Sequence, residues 1–362
     1  MNNGTNNHIT GSTLPPPLST APDMRPHWDD VELSFNEAAN RIVAAHKADG
    51  QATDLPITDI QTWAVAPKDG RFALVPLARH HEPKALRANA FSNLMTRLGA
   101  PAEFIRDKLP APLQLATCNW LLGMSEGSSA ATLRLRGGEV AAVVSGRYAP
   151  LDPIELVDTL RSALTRHGLL EEVRVRGVAT GLVDNMRLVL PGETRELKKG
   201  DVSNVGIDIS TSCFGRSAVH IAPLIWRLVC SNGMRAMERG GGFSFRHVGD
   251  GDRLKAAVAE AIPTALVHAR GVMKQWQRAV THMVTDVERM ISEMRDLSVI
   301  ERKYVEAELL KETCEPQLPE HVPLYDLVNA MTSAAKGAVP AQRLELEAMA
   351  GDILNQHVGR GA

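Results

Sequence analysis

Four stretches between Glu171 and Pro223 constrain this chain more than any other feature. "EEVRVRGVATGL", "MRLVLPG", "SNVGIDISTS" and "SAVHIAP" are rich in strand-favouring residues. They are broken by turn-forming pairs at Asp184-Asn185, Pro191-Gly192 and Phe214-Gly215. Just upstream, "ATLRLRGGEVAAVVSGRY" alternates on both sides of Gly137-Gly138, a hairpin signal. Between hairpin and strands, "DPIELVDTLRSALTRHG" reads as a helix with Asp152 as N-cap, Pro153 in its first turn and Gly168 past its end. Residues 222–234, "APLIWRLVCSNGM", read as a second helix, with Pro223 at N1 and Gly233 at C′. Its Leu224, Ile225, Leu228 and Val229 form a face that packs on the sheet, and Arg227 and Ser231 form its only polar strip. The expected architecture is α+β: a central antiparallel sheet with packed helices, a helical N-terminal subdomain and a long-helix C-terminal region.

Around this centre the pattern is helical. "VELSFNEAANRIVAAHKADG" places Leu33, Ala38, Ile42 and Val43 near one face and stops at Gly50. "ALRANAFSNLMTRLGAPAEFIRDKLPAPLQLATCNWLLG" divides into short helices at Gly99–Pro101 and Pro110–Pro112. A long helix is expected from Asp252 to about Leu297, kinked at Pro263, then two more over roughly Tyr325–Ala335 and Ala341–Gln356. Residues 1–26, rich in Asn, Ser, Thr and Pro, have too little apolar surface to offset ordering and read as a disordered tail. The expected organisation is tail 1–26, mainly helical subdomain 27–130, sheet-plus-helix core 131–250 and helical region 251–362.

With 362 residues and a hydrophobic fraction of 44%, the chain can bury a sizeable core. A formal net charge of -2 gives the whole molecule no general attraction to nucleic acid or anionic membrane, so any such affinity is local. No apolar run is long enough to span a membrane and no signal peptide is evident, which places the protein in the cytoplasm without a membrane partner. Cys118, Cys213, Cys230 and Cys314 form no C-x-x-C pair and each reads as a reduced, buried and inert thiol. Cys213, His220, Cys230 and His247 share a region where a thiol–base pair or zinc site is conceivable. Their spacing matches no ligand pattern, so structural thiols are expected, with no metal, no cofactor and no catalytic residue.

Charge is segregated. Arg161, Arg166, Arg174, Arg176, Arg187, Arg195, Lys198 and Lys199 lie in the sheet half, followed by Arg216, Arg227, Arg235, Arg239, Arg246 and Arg253, whereas Asp286–Glu320 is dominated by carboxylates. The acidic third is either an internal or intersubunit counterpart of the basic middle, or a guard on a phosphate track. Arg227 accordingly has two readings: partner of a carboxylate such as Asp208 or Asp152, or a groove residue meeting phosphate through its planar guanidinium. The nucleic-acid-binding candidates are Arg147, Arg174, Arg176, Lys198, Lys199, Arg216, Arg227, Arg235, Arg239 and Arg246. "RGGGFSFRHVGDG" has the glycine content of a functional loop, and its Phe243 and Phe245 either stack on bases or tuck into the core. An aromatic fraction of 4% favours backbone contact over base stacking.

Three blocks in order, "VVSGRYAPLDPIELVDTL", "VGIDISTSCFGRSAVHIAPLIWRLVCSNGM" and "RHVGDGDRL", resemble the phage- and plasmid-like family known as domain of unknown function 932. Gly146 stands where that pattern has an acidic residue. The resemblance implies a mobile-element accessory protein. In topology, the helix, antiparallel strands and crossing helix are similar to the core of phage single-strand annealing proteins. This likeness implies single-stranded DNA binding and strand annealing, by a homo-oligomer without chemistry of its own. The alternative is a structural or protein-interaction component encoded by the same element.

Overall fold

The computed structural model describes residues 16–29, 31–78, 82–125, 130–228, 232–236 and 241–359. The first elements are β1 (His27–Asp29), β2 (Leu33–Ser34), α1 (Phe35–Ala48), β3 (Ala52–Ile57), β4 (Trp63–Lys68), β5 (Arg71–Pro76) and β6 (Lys84–Ala85). Next come α2 (Ala88–Arg97), α3 (Ala102–Lys108), α4 (Ala111–Met124), β7 (Ala131–Arg136), β8 (Glu139–Ser145) and α5 (Pro153–Arg166). The sheet strands are β9 (Arg174–Thr180), β10 (Asp184–Lys198), β11 (Asp201–Thr211), β12 (Val219–Arg227), β13 (Asn232–Arg235) and β14 (Phe243–Phe245). The chain ends with α6 (Gly251–Ala279), β15 (Met283–Thr285), α7 (Val287–Ser292), α8 (Val299–Thr313), β16 (His321–Pro323), α9 (Leu324–Ala334) and α10 (Pro340–Val358). The α+β expectation holds, and among the described residues no helix is long and apolar enough to cross a membrane.

The chain forms two compact units: residues 1–23 with 50–147, and residues 24–49 with 148–362. This division differs from the one drawn on sequence, because the hairpin β7–β8 belongs with the preceding helices and α1 belongs with the large sheet. In the first unit α2, α3 and α4 break at the expected glycine and prolines. Gly137 and Gly138, both at positive φ, close the β7–β8 hairpin. Strands β3–β6 were not foreseen, and Phe72, Leu74, Phe91, Leu94 and Leu133 share their core.

The segment read as a disordered tail docks on this unit in part. Leu18 and Ala21 are buried. The Leu18 amide donates to Gln114 Oε1 at 2.7 Å, and the Ala21 amide to the Leu86 carbonyl at 2.9 Å. Residues 1–15 lie outside the described residues. Deleting residues 1–23 therefore exposes core and takes from Gln114 Oε1 its Leu18 donor, an expected loss of about 2–4 kcal/mol. Deleting only 1–15 leaves these contacts intact. Thermal melts of the two truncations check this, and equal melting temperatures would show that the docked segment contributes nothing.

In the second unit one antiparallel sheet runs β1-β9-β10-β11-β12-β13, with β14 also paired to β12 and β2 to β9. Alternation sorts β11 and β12 into two faces. Val205, Ile207, Ile209, Ile221 and Ile225 face an apolar core supplied by α1, α5, α6 and the C-terminal helices. Asp208 and Ser210 fall on the opposite face. Gly206 is required in this centre, because a Cβ there would lie 2.2 Å from the Leu188 carbonyl oxygen. Helix α5 has the predicted start, with Asp152 and Glu155 forming a capping box.

The expected helix over 222–234 is instead the end of β12, a connection and β13. Leu224 pairs with Arg235, Ile225 with Met234, Trp226 with Gly233 and Arg227 with Asn232. Gly233 therefore ends no helix. Pro223 is tolerated because its nitrogen and carbonyl face the gap where the outer neighbour changes from β14 to β13, and its carbonyl accepts from the Ala236 amide at 3.0 Å. The expected long helix also ends early, at Ala279, and Pro263 lies inside it.

Candidate functional site

Two regions of the second unit gather chemistry-bearing side chains. The first is the charged interior around the sheet. Arg187 of β10 is wholly buried between Asp208 of β11, at 3.1 Å, and Glu347 of α10. Arg235 of β13 pairs with the same Asp208 at 2.8 Å, and Arg343 reaches Glu347 at 3.2 Å. Burial pushes the Glu347 carboxyl up while Arg187 and Arg343 draw it down, with burial prevailing.

On the opposite face Arg227 settles the question its sequence posed. It is 9% exposed and clamped between Asp201, 2.7 Å away, and Glu312 of α8, also 2.7 Å away. Its guanidinium lies over the Tyr325 ring at 5.8 Å, and the Tyr325 hydroxyl donates to Asp201 at 2.7 Å. Burial opposes the Arg227 charge, but the hydrogen bonds to Asp201 and Glu312 outweigh it and raise the pKa. The ion-pair reading is correct in kind, with Asp201 and Glu312 as partners rather than Asp208 or Asp152. Arg227 and Arg235 are thus withdrawn from the surface on which a phosphate was expected to meet them. Glu312 comes from the acidic stretch 286–320, which acts here as an internal counterpart to the basic middle.

The remaining candidates scatter. Arg174 donates to the Glu171 and Val173 carbonyls, Arg176 pairs with Glu32, and Lys198 pairs with Asp326. Arg147, Lys199, Arg216 and Arg246 are exposed, Arg147 lying in the first unit. Arg239 lies outside the described residues. Phe243 and Phe245 stack on each other at 6.3 Å and pack, half-buried, against the apolar core.

The second region is the end of the sheet where β10 begins and β11 gives way to β12. His46 from the last turn of α1 places Nε2 2.8 Å from both oxygens of Asp184, the first residue of β10. Cys213, in the β11–β12 loop, brings its sulfur into the same cluster, where one donor atom from each residue lies within 4.8 Å of the others. Nearby, Thr211 contacts His247 at 3.1 Å and Tyr148 stacks on His247 at 5.0 Å. Register sets Val219 opposite Phe245, so the exposed Arg246 and Arg216 flank this same end.

Sequence reasoning singled out Cys213 but gave it the wrong neighbours. His247 bonds Thr211 and the Ala149 carbonyl, and His220 sits opposite Ser210 with its pKa lowered by burial and by Arg235. Cys230 lies outside the described residues. His46 and Asp184 lack any shared motif with Cys213, being 138 residues apart from each other. The only legible signals were an imidazole at a helix end and an aspartate at a strand start. Elsewhere, burial pushes the Cys118 thiol up to about 12, which makes it inert.

These features define an α+β protein with a sealed charged interior and one polar sheet end. Residues 140–307 match the model of the family described as Domain of unknown function (DUF932). The match includes Asp184, Arg187, Asp208, Cys213 and Arg227 but not His46, Glu312 or Glu347. No curated protein and no solved structure matches the chain.

Proposed function

We propose that the protein is a non-enzymatic mobile-element accessory factor that binds single-stranded DNA through the phosphate backbone and promotes strand annealing as a homo-oligomer. The observation that carries this reading is the pair Arg216 and Arg246. Both are exposed, both lie outside any described ion pair, and the β12–β14 register sets them at one end of the sheet. The crossing helix expected at 222–234 is strand instead, and the helix packed on the sheet's apolar face after the strands is α6.

Internal pairing sharpens the expected electrostatics. Arg216 and Arg246 share one end of the sheet while Lys199 lies in the β10–β11 turn at the other, so few phosphates are neutralised at once and log affinity should fall against log salt with a slope of about -1.4, from about -0.7 per phosphate on single strands. Had all ten candidate cations been engaged, the slope would approach about -7 by the same relation. Replacing Arg216 and Arg246 together by alanine should flatten the slope by about 1.4. The measurement is a titration of labelled single-stranded DNA at several salt concentrations. Absence of binding at roughly micromolar protein, weaker than even ordinary non-specific affinity, would end this reading and favour a protein partner.

A further inference from the structure

The geometry points to a divalent transition-metal site, zinc by the chemistry of its donors, formed by His46 Nε2, a carboxylate oxygen of Asp184 and Cys213 Sγ. The three donors come from three separate elements and converge to within 4.8 Å, each residue being buried. One nitrogen, one oxygen and one sulfur is a set that suits zinc and disfavours calcium or magnesium, which take oxygen alone. Three protein ligands also leave a fourth position for water or another donor.

Charge and support agree with this assignment. A thiolate and a carboxylate buried side by side repel each other, and a divalent cation balances the two while a neutral imidazole completes the shell. His46 Nε2–H donates to the Asp184 carboxylate, and a metal ion taking up the two groups displaces that proton, since ligands bind in their deprotonated form.

The residues flanking Cys213 are fixed in place, as outer contacts of metal ligands commonly are. Ser212 Oγ donates to the Leu182 carbonyl at 2.5 Å and accepts from the Phe214 and Arg216 amides at 3.2 and 3.1 Å. The Tyr148 hydroxyl donates to the Ser212 carbonyl at 2.9 Å, and the Phe214 ring stacks on His46 at 5.9 Å. The site is thus preorganised by the β11–β12 loop, and it does not depend on strand binding.

The test uses the full chain, stripped with chelator and titrated with Co²⁺ as a spectroscopic stand-in for zinc. Saturation at one Co²⁺ per chain is expected, with a thiolate-to-cobalt charge-transfer absorption that zinc abolishes on addition. Cys213→Ser should lose the absorption, whereas Cys314→Ser, at an exposed thiol, should retain it. Asp184→Asn keeps the side-chain volume and should weaken Co²⁺ binding by about tenfold or more, giving a second readout if Cys213→Ser folds poorly. A folded wild-type chain that takes up no Co²⁺, or an absorption that survives in folded Cys213→Ser, overturns the proposal and leaves His46 and Asp184 as an ordinary buried pair beside an inert thiol.

Discussion

Arg227→Ala is expected to lower the stability of the protein by about 3–5 kcal/mol, the cost of removing one partner from a buried ion pair. The change strands the Asp201 and Glu312 carboxylates, both largely buried, and removes the cation above the Tyr325 ring. Arg227→Lys should recover part of the loss, because an ammonium keeps the charge but cannot donate in a planar fork to Asp201 while reaching Glu312. Urea unfolding of the three proteins gives the comparison. Affinity for single-stranded DNA, measured on the folded fraction, should be unchanged, since the guanidinium does not reach a surface. A stable Arg227→Ala chain would mean the clamp contributes little, and a folded one with weakened DNA binding would restore Arg227 to the ligand surface.

The second large effect lies on the other side of the sheet. Arg187 has no exposed surface and bridges two buried carboxylates, so Arg187→Met should cost about 3–5 kcal/mol by removing a hydrogen-bonded partner of both, with only Arg235 left on Asp208 and Arg343 on Glu347. Arg187→Met combined with Glu347→Leu should recover only part of that loss, because the Arg187–Glu347 pair is replaced by apolar groups of similar size while Arg343 loses its bond to Glu347. Arg235 remains to hold Asp208. A double-variant cycle in urea separates the coupling from the single losses. If the double variant is as unstable as the sum of the two singles, Arg187 and Glu347 are not acting as a pair, and the interior owes its stability to other contacts.

Both arginines show how far the residues could be read in advance. Their types and places in the charge pattern were plain, and so was the acidic stretch that supplies Glu312. Which carboxylate each arginine meets was not, because Arg187 and Glu347 are 160 positions apart and Arg227 and Glu312 are 85 apart. Electrostatic pairing in a buried site depends on strand register and helix placement, and neither leaves a periodic trace in the chain. The same limit hid the polar sheet end: Cys213 was visible, but its neighbours arrive from α1 and from the start of β10.

What the sequence by itself determined was whatever is encoded within a few residues. The capped start of α5, the Gly137-Gly138 hairpin, the proline and glycine breaks between α2, α3 and α4, and the strand character of β9 to β11 are all local, set by backbone preference and cap chemistry. Only the tertiary structure decided the stretch 222–234. Its apolar run suits a buried helix and a buried strand equally, and Pro223 and Gly233 mimic a helix start and stop. Pairing with β11 on one side and the return through β13 on the other satisfies its backbone as a strand, and that satisfaction comes from residues the stretch does not contain.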